Sequence, residues 1–174
     1  MYLNIYMPLD LLRAFYSKGG RSMKKIMQII VSIIALTVMA PGHAKEVGKQ
    51  SDLDCLAKNI YYEAAMEPYE GKLAVAQVTM NRLNHPDYPS DVCGVIYQKT
   101  GSTCQFSWVC MPGVFNRPVY SALYKESEEV AKKVLFENFR LPSLTHAMYY
   151  HADYVNPGWR REKIAVIGRY IFYK

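Results

Sequence analysis

From Ser51 the apolar residues recur at helical spacing: Leu53, Leu56, Ala57, Ile60, Tyr61 and Ala64. Ser51 and Asp54 form an S-x-x-D start signal, and Lys45 to Gln50 before it reads as a polar linker. Pro68 predicts a break near residue 67. A second helix, roughly 68–83, carries Leu73, Ala76, Met80 and Leu83 on one side and Ala74, Val75 and Val78 on the other. A helix apolar on nearly every side belongs in the centre of a fold. "NHPDYPSD" is a turn-rich loop, and Ser90 is expected to cap a short helix over about 91–98. The stretch 100–118 is irregular and too long for a plain connection, which suggests a functional loop or lid. An amphipathic helix follows over 120–138, with Leu123, Val130, Ala131, Val134 and Leu135 facing inward. "HAMYYHADYV" and "IAVIGRYIFYK" are aromatic and β-branched, so both read as strands, joined by "NPGWRRE". The pattern predicts an α+β fold, mostly helical, with a small C-terminal antiparallel β-sheet.

Upstream, "MKKIMQIIVSIIALTVMAPGHAKE" has a basic start, an apolar run and small residues at Gly42 and Ala44. Met23–Ala44 is therefore expected to be a signal peptide cut after Ala44, with a short membrane anchor as the rival. Met1–Ser22 sits awkwardly ahead of it, and "KGGRS" resembles a translated ribosome-binding site. The expected organisation is a non-native extension at 1–22, the signal peptide at 23–44, a linker and helix start at 45–53, and one catalytic domain at 54–174.

The whole chain of 174 residues carries a net charge of +6. Asp10 and five cations (Arg13, Lys18, Arg21, Lys24, Lys25) precede residue 45, and without them sixteen cations face fourteen acids. The charge is then +2, so nucleic acid is not an expected partner. The four cysteines all fall in the expected mature part, and an even count in an exported chain favours two disulfides. Three pairings are open. The expected one joins Cys104 to Cys110, stapling the QFSW loop, and Cys55 to Cys93, tying the first helix to a later one. A zinc site is disfavoured because no C-x-x-C occurs. Oxidation would also remove a cysteine nucleophile paired with His146 or His151. These histidines stand five apart on a presumed strand and face opposite sides, a poor metal pair.

Glu63 stands out. Relative to Leu56 on a helical wheel, Ile60 lies at about 40° and Glu63 at about −20°. Glu63 thus sits in or beside the apolar stripe, in the last turn of its helix. Burial and the nearby backbone carbonyls both disfavour a negative charge there, and both raise its pKa. That suits a general acid. The plainer reading is a capping glutamate or one paired with Lys58 or Arg82. Glu67 and Glu70 flank Pro68 and read as acids opening the next helix. Candidate sugar-holding groups are Gln105, Phe106, Ser107 and Trp108 in "CQFSWVC", and Tyr149, Tyr150, His151 and Trp159 in "YYHADYVNPGW". Aromatic faces beside amide and hydroxyl donors match the apolar faces and hydroxyls of sugars. Core packing is the plain alternative for Phe106, Tyr149 and Trp159.

In order along the chain, "CLAKNIYYEAAMEPYEGKLAVAQVTMNR", "DVCGVIYQ", "CQFSWVC", "YYHADYVNPGW" and "VIGRYIFYK" resemble the cell wall hydrolase family named for spore cortex-lytic enzymes. The resemblance covers about 54–174. It implies a lysozyme-like domain related to lytic transglycosylases, with the family's catalytic glutamate on Glu63. It also implies cleavage between N-acetylmuramic acid and N-acetylglucosamine in peptidoglycan. Such chemistry can run on one carboxylate, whereas glycoside hydrolysis normally takes two. No metal or organic cofactor is expected. The family's last motif often has histidine where Tyr170 stands. The expected partner is the glycan strand, met by a monomer in the periplasm or cell wall, with no membrane contact once the leader is removed. The alternatives are a hydrolytic muramidase, with Glu67 or Asp153 assisting a water, and a non-catalytic wall-binding module.

Overall fold

The computed structural model describes residues 42–174, with side chains from Gln50 onward. The expected upstream extension and all but the last residues of the expected leader lie outside this range. Glu46–Lys174 form one compact unit. Its helices are α1 (Gly42–Ala64), α2 (Tyr69–Leu83), α3 (Val92–Tyr97) and α4 (Ser121–Phe136). Its strands are β1 (Lys99–Thr100), β2 (Thr103–Cys104), β3 (Tyr149–Ala152), β4 (Lys163–Ile167) and β5 (Tyr170–Tyr173).

α2 is the central element. Gly71 through Met80 are all buried, as the apolar pattern on both sides predicts. One side packs into a cluster with Leu56 and Ile60 of α1, Ile96 of α3, Phe106, Trp108, and Val130 and Val134 of α4. Its other side, through Ala74 and Val78, meets Leu144, Ala147 and Phe172 beneath the C-terminal sheet. Lys72 and Gln77 of this helix are satisfied inside the fold, whereas Arg82 Nη1 is buried without a partner among the described residues. Lys72 donates to Glu67 O at 2.9 Å and pairs with Glu126 at 3.0 Å. Gln77 donates to Leu141 O and accepts from Leu141 N, replacing the water lost on burial.

Several element ends differ from expectation. α1 begins at Gly42 rather than Ser51, so the expected linker is helical. Lys, Glu and Gln in that stretch are good helix formers, and a capping signature does not by itself stop a helix on its N-terminal side. Asp91, not Ser90, caps α3: its side chain accepts from Gly94 N at 2.7 Å. The 100–118 stretch holds the β1–β2 hairpin and two 3₁₀ turns, Ser107–Cys110 and Val114–Asn116. α4 ends before Asn138, whose φ of 52° turns the chain while Phe139 N reaches back to Lys133 O, satisfying a carbonyl of the last turns.

The sheet has three antiparallel strands in the order β3-β5-β4, where a pair was expected. The run "IAVIGRYIFYK" folds back on itself at Gly168, whose φ is +57°. Glycine first in a two-residue hairpin loop is the II′ pattern. β5 is thereby central, with Phe172 opposite both Tyr150 and Ala165.

Candidate active site

Glu63 ends α1 one residue before Ala64. Sheet side chains hold it from one side. Tyr150 Oη donates to Glu63 Oε2 at 2.8 Å, and Tyr170 Oη donates to the Glu63 backbone carbonyl at 2.5 Å. Successive strand residues alternate faces, and the register sets Tyr150 opposite Phe172 and Ala152 opposite Tyr170. Both hydroxyls therefore come from the inner face. Tyr170 satisfies a carbonyl that the helix end leaves without a donor.

The residues just before Glu63 hold the other side. Tyr62 Oη donates to Val114 O at 3.3 Å, and Tyr61 Oη accepts from Tyr120 N at 3.1 Å. The loop between β2 and α4 is thus pinned beside the end of α1. It exposes Met111, Phe115 and Tyr120.

Burial is the main influence on the Glu63 carboxyl, and it pushes the pKa up. The Tyr150 hydrogen bond and the Arg82 charge pull it down by less, so the net direction is upward. Tyr150 is itself pushed well above the ordinary tyrosine range by burial and by Glu63, so it remains a donor. Burial and the Glu63 charge push Tyr170 up to about 12. Among the described residues neither Lys58 nor Arg82 forms an ion pair with Glu63. Arg82 is buried, donates through Nε to Met148 O at 2.9 Å, and lies over the Phe106 and Tyr88 rings.

The expected sugar-holding residues divide. Phe106 and Trp108 are 2% and 3% exposed and belong to the core. That corrects their reading as an open aromatic surface. Trp108 stacks on Tyr62 at 4.6 Å and donates to Asn59 Oδ1 at 2.9 Å. Asn59 in turn donates to Thr79, a buried polar link that sequence reasoning missed. Its place on the apolar stripe next to Ile60 was the available signal. Gln105 is half-buried, and Ser107 is exposed on the first 3₁₀ turn. The structure pairs Cys104 with Cys110 around this segment and Cys55 with Cys93 across α1 and α3.

Tyr149 and His151 flank Tyr150 on β3 and so point to the outer face of the sheet, away from Glu63. There Trp159 stands edge-on to Tyr149, His151 and Tyr173, and Arg161 lies over Tyr149 at 3.5 Å. In the neutral ring, His151 Nδ1 donates to Ala152 O, and Nε2 accepts from Tyr173 Oη at 2.9 Å. The eight candidates therefore form three groups: core, stapled loop and sheet, the last split between two faces.

The other acids near α1 are engaged elsewhere. Glu67 Oε2 accepts from Arg169 N at 2.9 Å, so Glu67 holds the β4–β5 turn and does not open α2. Asp153 lies 3.9 Å from the Arg169 guanidinium.

Comparison with known proteins identifies the family. A family profile described as Cell Wall Hydrolase matches residues 66–173. The spore cortex-lytic enzyme of Halalkalibacterium halodurans is 32% identical over 126 residues, covering 70% of this chain and 34% of its own length. That of Bacillus subtilis is also 32% identical over 126 residues, covering 70% and 37%. The chain thus spans little more than a third of the length of these relatives. Among solved structures, the catalytic domain of the germination-specific lytic transglycosylase SleB from Bacillus anthracis superposes with a TM-score of 0.55 at 29% identity. The match covers 72% of this chain and 95% of that one. The catalytic domain of Bacillus cereus SleB gives 0.51 at 26%, covering 72% and 91%. A lysozyme-like α+β fold and a profile match across most of the chain agree: this chain belongs to the cell wall hydrolase family.

Proposed function

We propose that this chain is a lytic transglycosylase that cleaves the bond between N-acetylmuramic acid and N-acetylglucosamine in peptidoglycan. Glu63 would act first as acid and then as base. Membership of the cell wall hydrolase family and likeness to the SleB catalytic domain support peptidoglycan as substrate. The observation that carries the mechanism is the setting of Glu63. Burial favours its protonated form, and Tyr150 occupies Oε2, which leaves Oε1 to hold the proton toward a substrate. Of the carboxylates that a hydrolytic route would use, Glu67 accepts from Arg169 N and Asp153 lies 3.9 Å from the Arg169 guanidinium.

In the proposed reaction Glu63 gives its proton to the glycosidic oxygen as the C1–O bond breaks. The carboxylate so formed takes the proton of the sugar's own 6-hydroxyl as O6 bonds to C1. The glutamate ends protonated, the product is a 1,6-anhydro sugar, and no water is consumed. Gln105 and Ser107 are the candidate donors that hold the sugar, on a loop whose freedom the Cys104–Cys110 bridge limits. The site of action is the periplasm or cell wall, reached through the leader expected at 23–44, and the chain works as a monomer.

The test is digestion of purified peptidoglycan, with product masses measured for the parent chain and Glu63→Gln. The expected products are one water lighter than hydrolytic ones, and Glu63→Gln loses about 10²- to 10⁴-fold in rate. Hydrolytic masses would favour a muramidase. Near-parent activity in Glu63→Gln would remove Glu63 from the mechanism.

A further inference from the structure

A cavity of about 510 Å³ opens between the C-terminal end of α2 and the segment that follows α4. Glu63 does not line it. Its walls include Asn81, Asn84 and His85 on one side and Arg140, His146 and Lys174 on the other, and no Asp or Glu side chain lines it. The size suits a small ligand, and the side chains suit a negatively charged one.

Arg140 is the central group. Its Nη1 donates to Val134 O at 2.8 Å and to Phe139 O at 2.7 Å, which fixes the guanidinium in place. It is partly buried, and burial pushes its pKa down with no neighbouring charge to offset the effect. Among the described residues no carboxylate lies within salt-bridge range of it. A partly desolvated cation without a counter-ion is unfavourable, and a bound anion would relieve it. The other lining cation is weakly neutralised: Lys174 Nζ stands 3.9 Å from Glu162, an acid well exposed to water. His85 Nδ1 accepts from Asp87 N at 3.3 Å, which leaves Nε2 free. The far wall is already rigid: Asn81 Nδ2 donates to Leu144 O and to Ala147 O, each at 2.8 Å. Arg140 and Asn81 would therefore need little ordering to receive a ligand.

We propose that this cavity binds a small oxyanion, a carboxylate or a phosphate, through Arg140 with His85 and His146. Two sources share that chemistry: the free carboxylates of a short acidic peptide, such as those carried on wall glycans, and inorganic phosphate. The proposal is independent of any role for Glu63, because its readout is binding.

The experiment titrates the full chain with inorganic phosphate and, separately, with an alanine–glutamate dipeptide. The ring C–H resonances of His85 and His146 are followed by NMR. Both rings are expected to shift together and saturate, with a Kd below about 10 mM. Saturation by the dipeptide alone assigns the site to peptide carboxylates. Saturation by phosphate alone assigns it to free phosphate, and saturation by both makes charge the sole criterion. His146→Glu, at an exposed position, should weaken binding at least about tenfold, the scale of one added negative charge at short range. Arg140→Gln should do the same, but it also frees the Val134 and Phe139 carbonyls, so His146→Glu is the variant that keeps folding out of the result. Absence of any ring shift through about 10 mM of either ligand overturns the proposal. Unchanged affinity in both variants does so equally.

Discussion

Tyr150→Phe tests the arrangement around Glu63 more sharply than removal of the acid does. The substitution deletes one hydroxyl and keeps a ring that packs against Tyr170 and Phe172 at 5.2 and 5.7 Å. The lost contact is the 2.8 Å bond to Glu63 Oε2. Such a bond is worth about 0.5–1.5 kcal/mol to a neutral acceptor and about 1.5–3 kcal/mol to a charged one. In the proposed reaction Glu63 starts neutral and gains charge at the transition state. Only the difference, about 1–1.5 kcal/mol, bears on rate, so turnover should fall about five- to tenfold. The ground-state share appears separately, as a loss of about 0.5–1.5 kcal/mol in stability. The pH dependence fixes the sign. Activity requires protonated Glu63, so it declines as pH rises through the raised Glu63 pKa. Tyr150 pulls that pKa down, so Tyr150→Phe should move the alkaline limb to higher pH. Release of soluble wall fragments across pH, beside thermal melts, measures all three effects. An alkaline limb that stays in place or moves to lower pH would refute the role given to Tyr150. A rate loss beyond about a thousandfold would indicate that Tyr150 transfers a proton itself.

Three further outcomes follow from the same geometry. The Cys55–Cys93 bridge spans 38 residues and Cys104–Cys110 spans 6, so opening the first by paired serine substitution should cost about 4 kcal/mol and the second about 2 kcal/mol, read from denaturant melts. Gly168→Ala should lose about 1–2 kcal/mol, because a residue with a Cβ is strained at φ +57° and that Cβ would collide with Glu67 Oε2; calorimetry measures it. Gln105→Ala should lower turnover about ten- to a hundredfold with an unchanged melting temperature. Phe106→Ala, buried in the core, should instead destabilise by about 3–5 kcal/mol, and measuring both quantities on both variants separates the roles.

The central helix was legible in the sequence because its pattern has only one economical solution. A 15-residue segment apolar on both sides must lie between two layers, and α2 does. The burial of Glu63 was legible for a related reason, since an acid on an apolar stripe conflicts with its surroundings. Phe106 and Trp108 were harder. An aromatic residue between two cysteines looks the same whether it faces a groove or a core, and only the partners Asn59 and Tyr62 decide it. The split of Tyr149, Tyr150 and His151 across two faces was available in principle from strand alternation. It was masked because all three residue types suit a sugar surface equally well. The hairpin at Gly168 was missed because the β-branched and aromatic residues on either side form one unbroken strand-like run, in which a single glycine is a weak turn signal.

That same hairpin bears on which chemistry the site can support. A hydrolytic route needs a second carboxylate free to activate water. The acids available by sequence position are Glu67, four residues after Glu63, and Asp153, three residues after Tyr150. Both converge on one residue of the turn: Glu67 accepts from the Arg169 backbone N–H, and Asp153 faces the Arg169 guanidinium while its own N–H donates to Arg169 O at 2.8 Å. Arg169 is followed directly by Tyr170, whose hydroxyl holds the Glu63 carbonyl. The Glu67 carboxylate thus helps to anchor the strand whose Tyr170 holds the end of α1, and the Asp153 backbone pairs with the same turn. Freeing Glu67 to serve as a base would loosen the turn and, through Tyr170, the end of α1 itself. Recruiting Glu67 would therefore disturb the setting of Glu63, and this coupling is the physical argument behind the proposed mechanism in which Glu63 works alone.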